Sequence, residues 1–377
     1  MLSLVGIILT GIVIFQLLFI AVFLFTNHKG NKLSNRLLGT VFLMLSINLL
    51  DMLLTALGLY HYFIRIALVD DGFVLAYGPL VLLYTRSVIY KNSTLSLKDL
   101  RHFIPFLVIT LFLVASQNIN DKAQQQQLIE DINQFQTPLF VHLAFGLFYG
   151  IAGLYLLTAY KELLNYRMVI KNKFSNVDKI NLDWLSFTIK SFSVFGVIVV
   201  IDAFLPLTVF KSYFEASLVL FIGFLFYFIN AVVFKALKHP SLFSGIDTIT
   251  QNRYAESSLS ESQLDQHKEE IINYMNTKRP YLDADLTLDQ LANSLNLHPK
   301  KLSEIINRAF DSNFFQFINR YRIEEAKQLL NSNKDEKLTI LEILYQSGFN
   351  SKSSFNTLFK KETGLTPSEY RNQFLNS

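Results

Sequence analysis

Apolar residues gather in long runs over the first part of the chain and in short, spaced positions over the last part. Seven runs approach the roughly 20 residues an α-helix needs to cross a hydrocarbon layer of about 30 Å. They are residues 3–26, 37–60, 66–86, 103–116 with its flanks, 138–160, 185–209 and 213–235. The pattern predicts seven spanning helices. The first and last runs are the clearest; Asp70, Asp71 and Arg86 flank the third, and Gln117 closes the fourth. No charge occurs from Met1 to Asn27. A signal peptide has a basic start and a shorter apolar core, so the first run reads as a retained span. Gly78-Pro79 predicts a kink in the third.

Beyond residue 236 the pattern changes. Residues 237–262 are rich in Ser, Thr, Asn and Gln and read as a connector. Ser260 with Gln263 resembles a capping box, and Leu264, Ile271, Ile272 and Met275 follow at helical spacing, so a further domain is expected over 263–377. That domain contains an internal repeat. LTLDQLANSLNLHPKKLSEIINRAFDSNFFQF is echoed by LTILEILYQSGFNSKSSFNTLFKKETGLTPSEY. Each unit predicts a short helix, a turn and a second helix. Asn296 and Gly348 fall at equivalent turn positions and tolerate positive φ. Leu302, Ile305 and Ile306 match Phe355, Leu358 and Phe359, and Phe317 matches Tyr370. These face a core at i, i+3, i+4 spacing. Thr287 with Gln290, and Thr366 with Pro367 and Glu369, predict helix starts; Pro299 suits another. A helix from about Phe314 to Leu330 joins the units. At 1.5 Å per residue it spans about 25 Å, and the units suit neighbouring major-groove faces roughly 34 Å apart. The expected fold is therefore all-α: a seven-helix transmembrane bundle over 1–236, the connector, and two helix-turn-helix units.

Composition agrees with the bundle. Hydrophobic residues make up 51% of the chain and charged residues 17%, against about 25% charged in soluble domains. With no cysteine there is no disulfide, thiol catalysis or Cys-bound zinc. The net charge of +4 is no argument for nucleic acid. Residues 1–235 hold 17 Lys/Arg against 12 Asp/Glu, while residues 265–377 hold 15 against 15. Alternate loops carry Lys29, Lys32 and Arg36, then Arg86, Lys91, Lys98 and Arg101, then Lys161, Arg167, Lys171, Lys173 and Lys179; the opposite loops carry Arg65, Lys122 and Lys211. By the positive-inside rule the first set is cytoplasmic. The N-terminus is then outside and everything after Phe234 inside. The longest outer loop, about Gln117 to Thr137, is too small for a core of its own. Asp51, His142 and Asp202, with Asn48 and Asn230, are polar within or near the spans. Such groups are costly there, so Asp51, His142 and Asp202 are candidates for intramembrane sensing of a small molecule or a membrane state. The alternative is that they hydrogen-bond neighbouring helices.

Several spaced positions in the repeat carry a resemblance. Gly348-Phe349, Phe355, Phe359-Lys360, Gly364, Pro367 and Tyr370-Arg371, with Phe314, Phe317-Ile318, Arg322, Ala326 and Leu329-Leu330 in the first unit, resemble the AraC/XylS-type DNA-binding domain. Asp311 stands where that family has Gly, and Leu344 where it has Ala. The membrane half, with Tyr77-Gly78-Pro79-Leu80, is similar to the seven-span portion of bacterial membrane-bound AraC-type regulators. The resemblance implies a transcription regulator in the bacterial inner (cytoplasmic) membrane, with its last domain in the cytoplasm. Its implied partners are double-stranded DNA, the lipid bilayer, a second copy of the chain, an unidentified signal and the transcription machinery. No enzyme is expected, because no phosphate-binding Gly loop, metal-spaced His cluster or nucleophile motif occurs. Neither a cofactor nor a metal is expected.

Outside the apolar arcs, the first recognition helix presents Lys300, Lys301, Ser303, Glu304, Asn307 and Arg308, the second Lys352, Ser353, Asn356, Thr357, Lys360 and Lys361. Lys300, Ser303, Glu304, Lys352, Ser353 and Asn356 are candidates for base edges, and Lys301, Arg308, Lys360 and Lys361 for phosphates. A plain solvated face is the alternative. A receptor or transporter whose tail binds a protein is the competing function, and the neutral last domain leaves room for it.

Overall fold

The computed structural model describes residues 3–27, 31–59, 69–90, 93–119, 124, 127, 137–178, 180–238, 260–332 and 338–375. Most of the connector, and Lys29, Arg65, Lys91, Lys122 and Lys179 of the loops, lie outside the described residues. The fold is all-α; among the described residues the only β pairing is an isolated bridge between Phe174 and Thr287. The chain forms two compact units. Unit 1 takes Met1–Leu164 and Leu182–Thr248, and unit 2 takes Asn165–Asn181 and Ile249–Ser377.

Unit 1 is built from α1 (Leu4–Thr26), α2 (Lys32–Ala56), α3 (Val74–Ile89), α4 (Leu97–Leu100), α5 (Ile104–Ile119), most of α6 (Leu139–Lys173), α7 (Asp183–Phe204) and α8 (Phe214–Lys238). Seven described helices are long and apolar enough to cross a membrane: Leu4–Thr26, Lys32–Ala56, Asp70–Ile89, Leu97–Ser116, Leu139–Lys173, Asp183–Leu207 and Phe214–Val232. They follow the seven apolar runs. Helix α1 shows how the sequence divides its two sides. Val13, Leu17, Ala21 and Leu24, at i+4 and i+3 steps, are buried, while Leu4, Phe15 and Phe19 stay mostly exposed. The apolar window of Leu97–Ser116 has no buried residue. Apolar faces of this extent are costly in water and suit hydrocarbon. Pro79 lies inside α3, which runs on to Ile89. Polar ties cross between helices. Arg86 grips Glu162 through Nη2 at 2.7 Å and Nε at 2.9 Å, joining α3 to α6. Ser34 and Ser87 share a hydrogen bond of 2.8 Å between α2 and α3.

The fifth apolar helix differs from the sequence expectation. The run stops near residue 160, but α6 continues to Lys173, 35 residues in all. Hydropathy falls there because Lys161, Glu162 and Lys171 enter, yet Leu163, Tyr166 and Ile170 keep one buried stripe at i+3 and i+4.

Unit 2 holds α9 (Glu261–Lys278), α10 (Leu288–Ser294), α11 (Pro299–Phe310), α12 (Phe314–Ser332), α13 (Ile340–Gln346), α14 (Lys352–Thr363) and α15 (Pro367–Leu375). Two cores form. Ile271, Met275, Leu288, Leu291, Leu302, Ile305, Ile306 and Phe317 make the first. Ile323, Ala326, Ile343, Leu344, Phe349, Phe355 and Phe359 make the second. The connecting helix α12 contributes to both, so its two ends weld the repeats together. Arg322 sits at this junction, 1% exposed. Its guanidinium donates to the carbonyls of Tyr281 at 2.7 Å, Asp283 at 2.7 Å and Ala284 at 3.3 Å. It also donates to Asn319 Oδ1 at 3.3 Å, and to Ser175 through its carbonyl at 3.3 Å and its hydroxyl at 3.0 Å. Burial pushes the guanidinium down to about 10, so it stays charged at neutral pH.

Candidate nucleic-acid interface

Local sequence sets each helix pair. In the first, Thr287 and Gln290 form a reciprocal capping box that starts α10. Asn296 turns the chain with φ of 53°. His298 caps α11 by accepting from the Lys300 amide at 3.2 Å, with Pro299 at the first helical position. In the second, Thr339 and Glu342 form the box, Gly348 turns the chain at φ 85°, and Ser351 caps α14 by accepting from the Ser354 amide. Ser260 with Gln263, Asn313 with Gln316 and Thr366 with Glu369 make the same reciprocal bonds at other helix starts of the domain. Asp311 adopts at the end of α11 the left-handed conformation, φ 44°, that glycine fills more readily.

The buried arcs of the two recognition helices are as expected: Leu302, Ile305, Ile306, Phe355 and Phe359 are fully buried, and Leu358 is partly so. On α14, Lys352, Ser353, Lys360 and Lys361 are exposed and Asn356 is half-buried. On α11, Lys300, Lys301 and Glu304 are half-buried, and Arg308 is exposed. Arg308 pairs with Glu304 at 3.2 Å, one turn away. Ser303 is a correction. Expected on the outer face, it is 4% exposed. It lies at the edge of the buried arc, and Asn307, one turn on, folds back over it by donating to its carbonyl at 2.7 Å. Ser303 is therefore removed from the candidates for base contact.

In unit 1, two of the three polar candidates, His142 and Asp202, are hydrogen-bonded to neighbours. His142 is buried between the Ala203 carbonyl, 2.5 Å from Nδ1, and Thr137 Oγ1, 2.7 Å from Nε2. A carbonyl only accepts, so Nδ1 carries a proton and donates to Ala203. Asp202, next to Ala203, is buried and accepts from the Ser217 hydroxyl. Asp51 lies within electrostatic range of Asp71, and Tyr149 within range of both Asp71 and Asp202. Asn48 donates to Asp70 at 2.7 Å and accepts from the Tyr77 hydroxyl. The bonds to His142 and Asp202 are of the helix-to-helix kind weighed as the alternative to a ligand site. Among the described residues no group of three or more His, Asp or Glu has metal-binding geometry.

Sequence reasoning missed two features. The Thr339–Glu342 box was legible as T-x-x-E and overlooked. The contacts that residues 174–181 make with the C-terminal helices have no local signature.

Two helix pairs, one connecting helix and an exposed polar side on the second recognition helix define a double helix-turn-helix domain. Residues 291–373 match the family described as "Helix-turn-helix domain", and this C-terminal domain is of the AraC type. The chain is 33% identical over 100 residues to the "Uncharacterized HTH-type transcriptional regulator YijO" of Escherichia coli (strain K12), covering 26% of this chain and 34% of that protein. It is 30% identical over 91 residues to the "Uncharacterized HTH-type transcriptional regulator YtdP" of Bacillus subtilis (strain 168), 24% of this chain and 11% of that one. A stretch of 59 residues is 41% identical to "Histidine kinase P4" of Formosa agariphila (strain DSM 15362 / KCTC 12365 / LMG 23005 / KMM 3901 / M-2Alg 35-1), 16% of this chain and 4% of that one. The chain thus matches about a third or less of the length of these relatives.

Proposed function

We propose that the chain is a membrane-embedded, sequence-specific DNA-binding regulator of transcription and not an enzyme. The observation that carries this is the pair of joined helix-turn-helix units, the second inside the matched segment and the first inside it from Leu291 onward, with a polar exposed face on α14. Phosphates would be met by Lys301, Arg308, Lys360 and Lys361, and base edges by Lys300, Glu304, Lys352, Ser353 and Asn356. The seven apolar helices and the loop charges support a place in the bacterial inner membrane, N-terminus outside and the DNA-binding domain in the cytoplasm. The domain limits follow the sequence reading, 1–236, 237–262 and 263–377, with residues 165–181 joining the last. A signal sensed in the bundle near Asp51, His142 and Asp202 would change operator binding, with two copies acting together on the transcription machinery. Such coupling requires the signal to favour one of two arrangements of the protein.

The test is enrichment of duplexes from a randomised pool by the full chain in lipid nanodiscs. A defined sequence motif is expected, bound more weakly as salt rises. Lys352→Ala should relax the motif at one position, and Lys360→Ala should weaken all duplexes alike, reducing the salt slope by about 1. No enrichment even at low salt would end this reading and leave a protein-binding tail.

A further inference from the structure

The bend between α6 and α7 is not used by the DNA-binding reading. Residues 174–181 are flanked in the chain by apolar helices, yet they form part of unit 2. Phe174 bridges Thr287, and the Ser175 amide donates to the Leu286 carbonyl at 3.2 Å, just ahead of the first helix pair. Ser175 is 1% exposed; besides its two bonds from Arg322, its carbonyl accepts from Asn319 Nδ2 at 3.0 Å. Asn176 Nδ2 donates to Asn350 Oδ1 at 2.7 Å, beside the turn of the second pair. Asp178 accepts from the Ser354 hydroxyl in the first turn of α14. The other carboxylate oxygen of Asp178 is buried without a hydrogen-bond partner among the described residues.

A carboxylate placed there has an electrostatic consequence. The first turn of a recognition helix is where base edges approach, and helix N-termini meet phosphates. Its unpaired amides favour an anion, and Asp178 supplies one from within the chain. A phosphate brought to the same turn meets a partly buried negative charge, whose repulsion salt screens poorly. We infer that residues 174–181 are a built-in brake: docked, they hold Asp178 against the second recognition helix and disfavour DNA, and the apolar helices on either side set how often they let go. This rests on the DNA-binding reading above.

The absence of cysteine makes the test clean. Asn176→Cys and Asn350→Cys are introduced together into the full chain in nanodiscs and bridged with a short bis-maleimide. Affinity for the duplex enriched by the full chain is read by fluorescence anisotropy. The bridged protein should bind more weakly than the unbridged one by on the order of tenfold. Asp178→Asn, which keeps an acceptor for Ser354 and removes the charge, should bind more tightly than the parent at an unchanged melting temperature. A pair that cannot be bridged overturns the docking itself. Equal or tighter binding by the bridged form overturns the brake and leaves DNA binding intact. No binding by any form removes the regulator reading, and the brake with it.

Discussion

Two glycines of the C-terminal domain show how one conformation carries different costs. Gly348 and Gly364 both have φ near +80°, at 85° and 79°. A Cβ on Gly364 meets open space, whereas one on Gly348 collides with the Tyr281 carbonyl oxygen and comes within 2.9 Å of Leu282 Cα. Left-handed backbone alone costs an L-residue about 1–2 kcal/mol. Gly364→Ala should therefore lose about that much, and Gly348→Ala clearly more, because backbone cannot step aside as a side-chain tip can. Thermal melts of the full chain in detergent compare them; equal losses would mean the two chain segments are less close than described. Single residues of this kind were legible in the sequence, since Asn296 and Gly348 answer to a backbone demand that few residue types meet. Ser303 was not. A helical wheel separates centre from centre but blurs the edge of an arc, where a small side chain is covered by its neighbour one turn on.

At the scale of elements, helix starts carry much of the definition. Among the described residues, reciprocal boxes open helices at Ser260, Thr287, Thr339 and Thr366, as also at Ser96 and Asn313. Those at Ser260 and Thr287 use Gln; those at Thr339 and Thr366 use Glu. Hydrogen bonds from the Thr339 and Thr366 amides, then from their hydroxyls, hold Glu342 and Glu369 below the ordinary carboxylate value of 4.5. A group whose folded value is depressed binds fewer protons folded than unfolded. Its contribution is full above about 4.5 and lost as pH falls through the lowered value. The starts of α13 and α15 should thus loosen on acidification in a way that Glu342→Gln with Glu369→Gln removes, read as a flatter melting temperature against pH. An unchanged pH profile in that double variant would remove the caps as its cause. The elements themselves were largely readable from apolar spacing. The extension of α6 was not, because a hydropathy window averages over the charged side and hides the stripe of Leu163, Tyr166 and Ile170.

For the whole molecule, the loop charges make a sharp expectation about sidedness. With Thr94→Cys or Thr208→Cys as the lone thiol, a membrane-impermeant maleimide should label Thr208→Cys in cells with a permeabilised outer layer, and Thr94→Cys only once the inner membrane is opened. The reverse pattern would put the C-terminal domain on the wrong side for any chromosome. What the sequence concealed at this scale is that residues 165–181 fold with a segment far along the chain. Contacts made largely through backbone atoms and small polar side chains leave little trace in a one-dimensional pattern. Arg322 draws out the evolutionary side of that point. Four of its six acceptors are main-chain carbonyls, from Ser175, Tyr281, Asp283 and Ala284. Every residue type offers a carbonyl, so those stretches are free to drift in side chain while the arginine is not. Divergent descendants of this chain should keep the guanidinium and scramble much of what surrounds it.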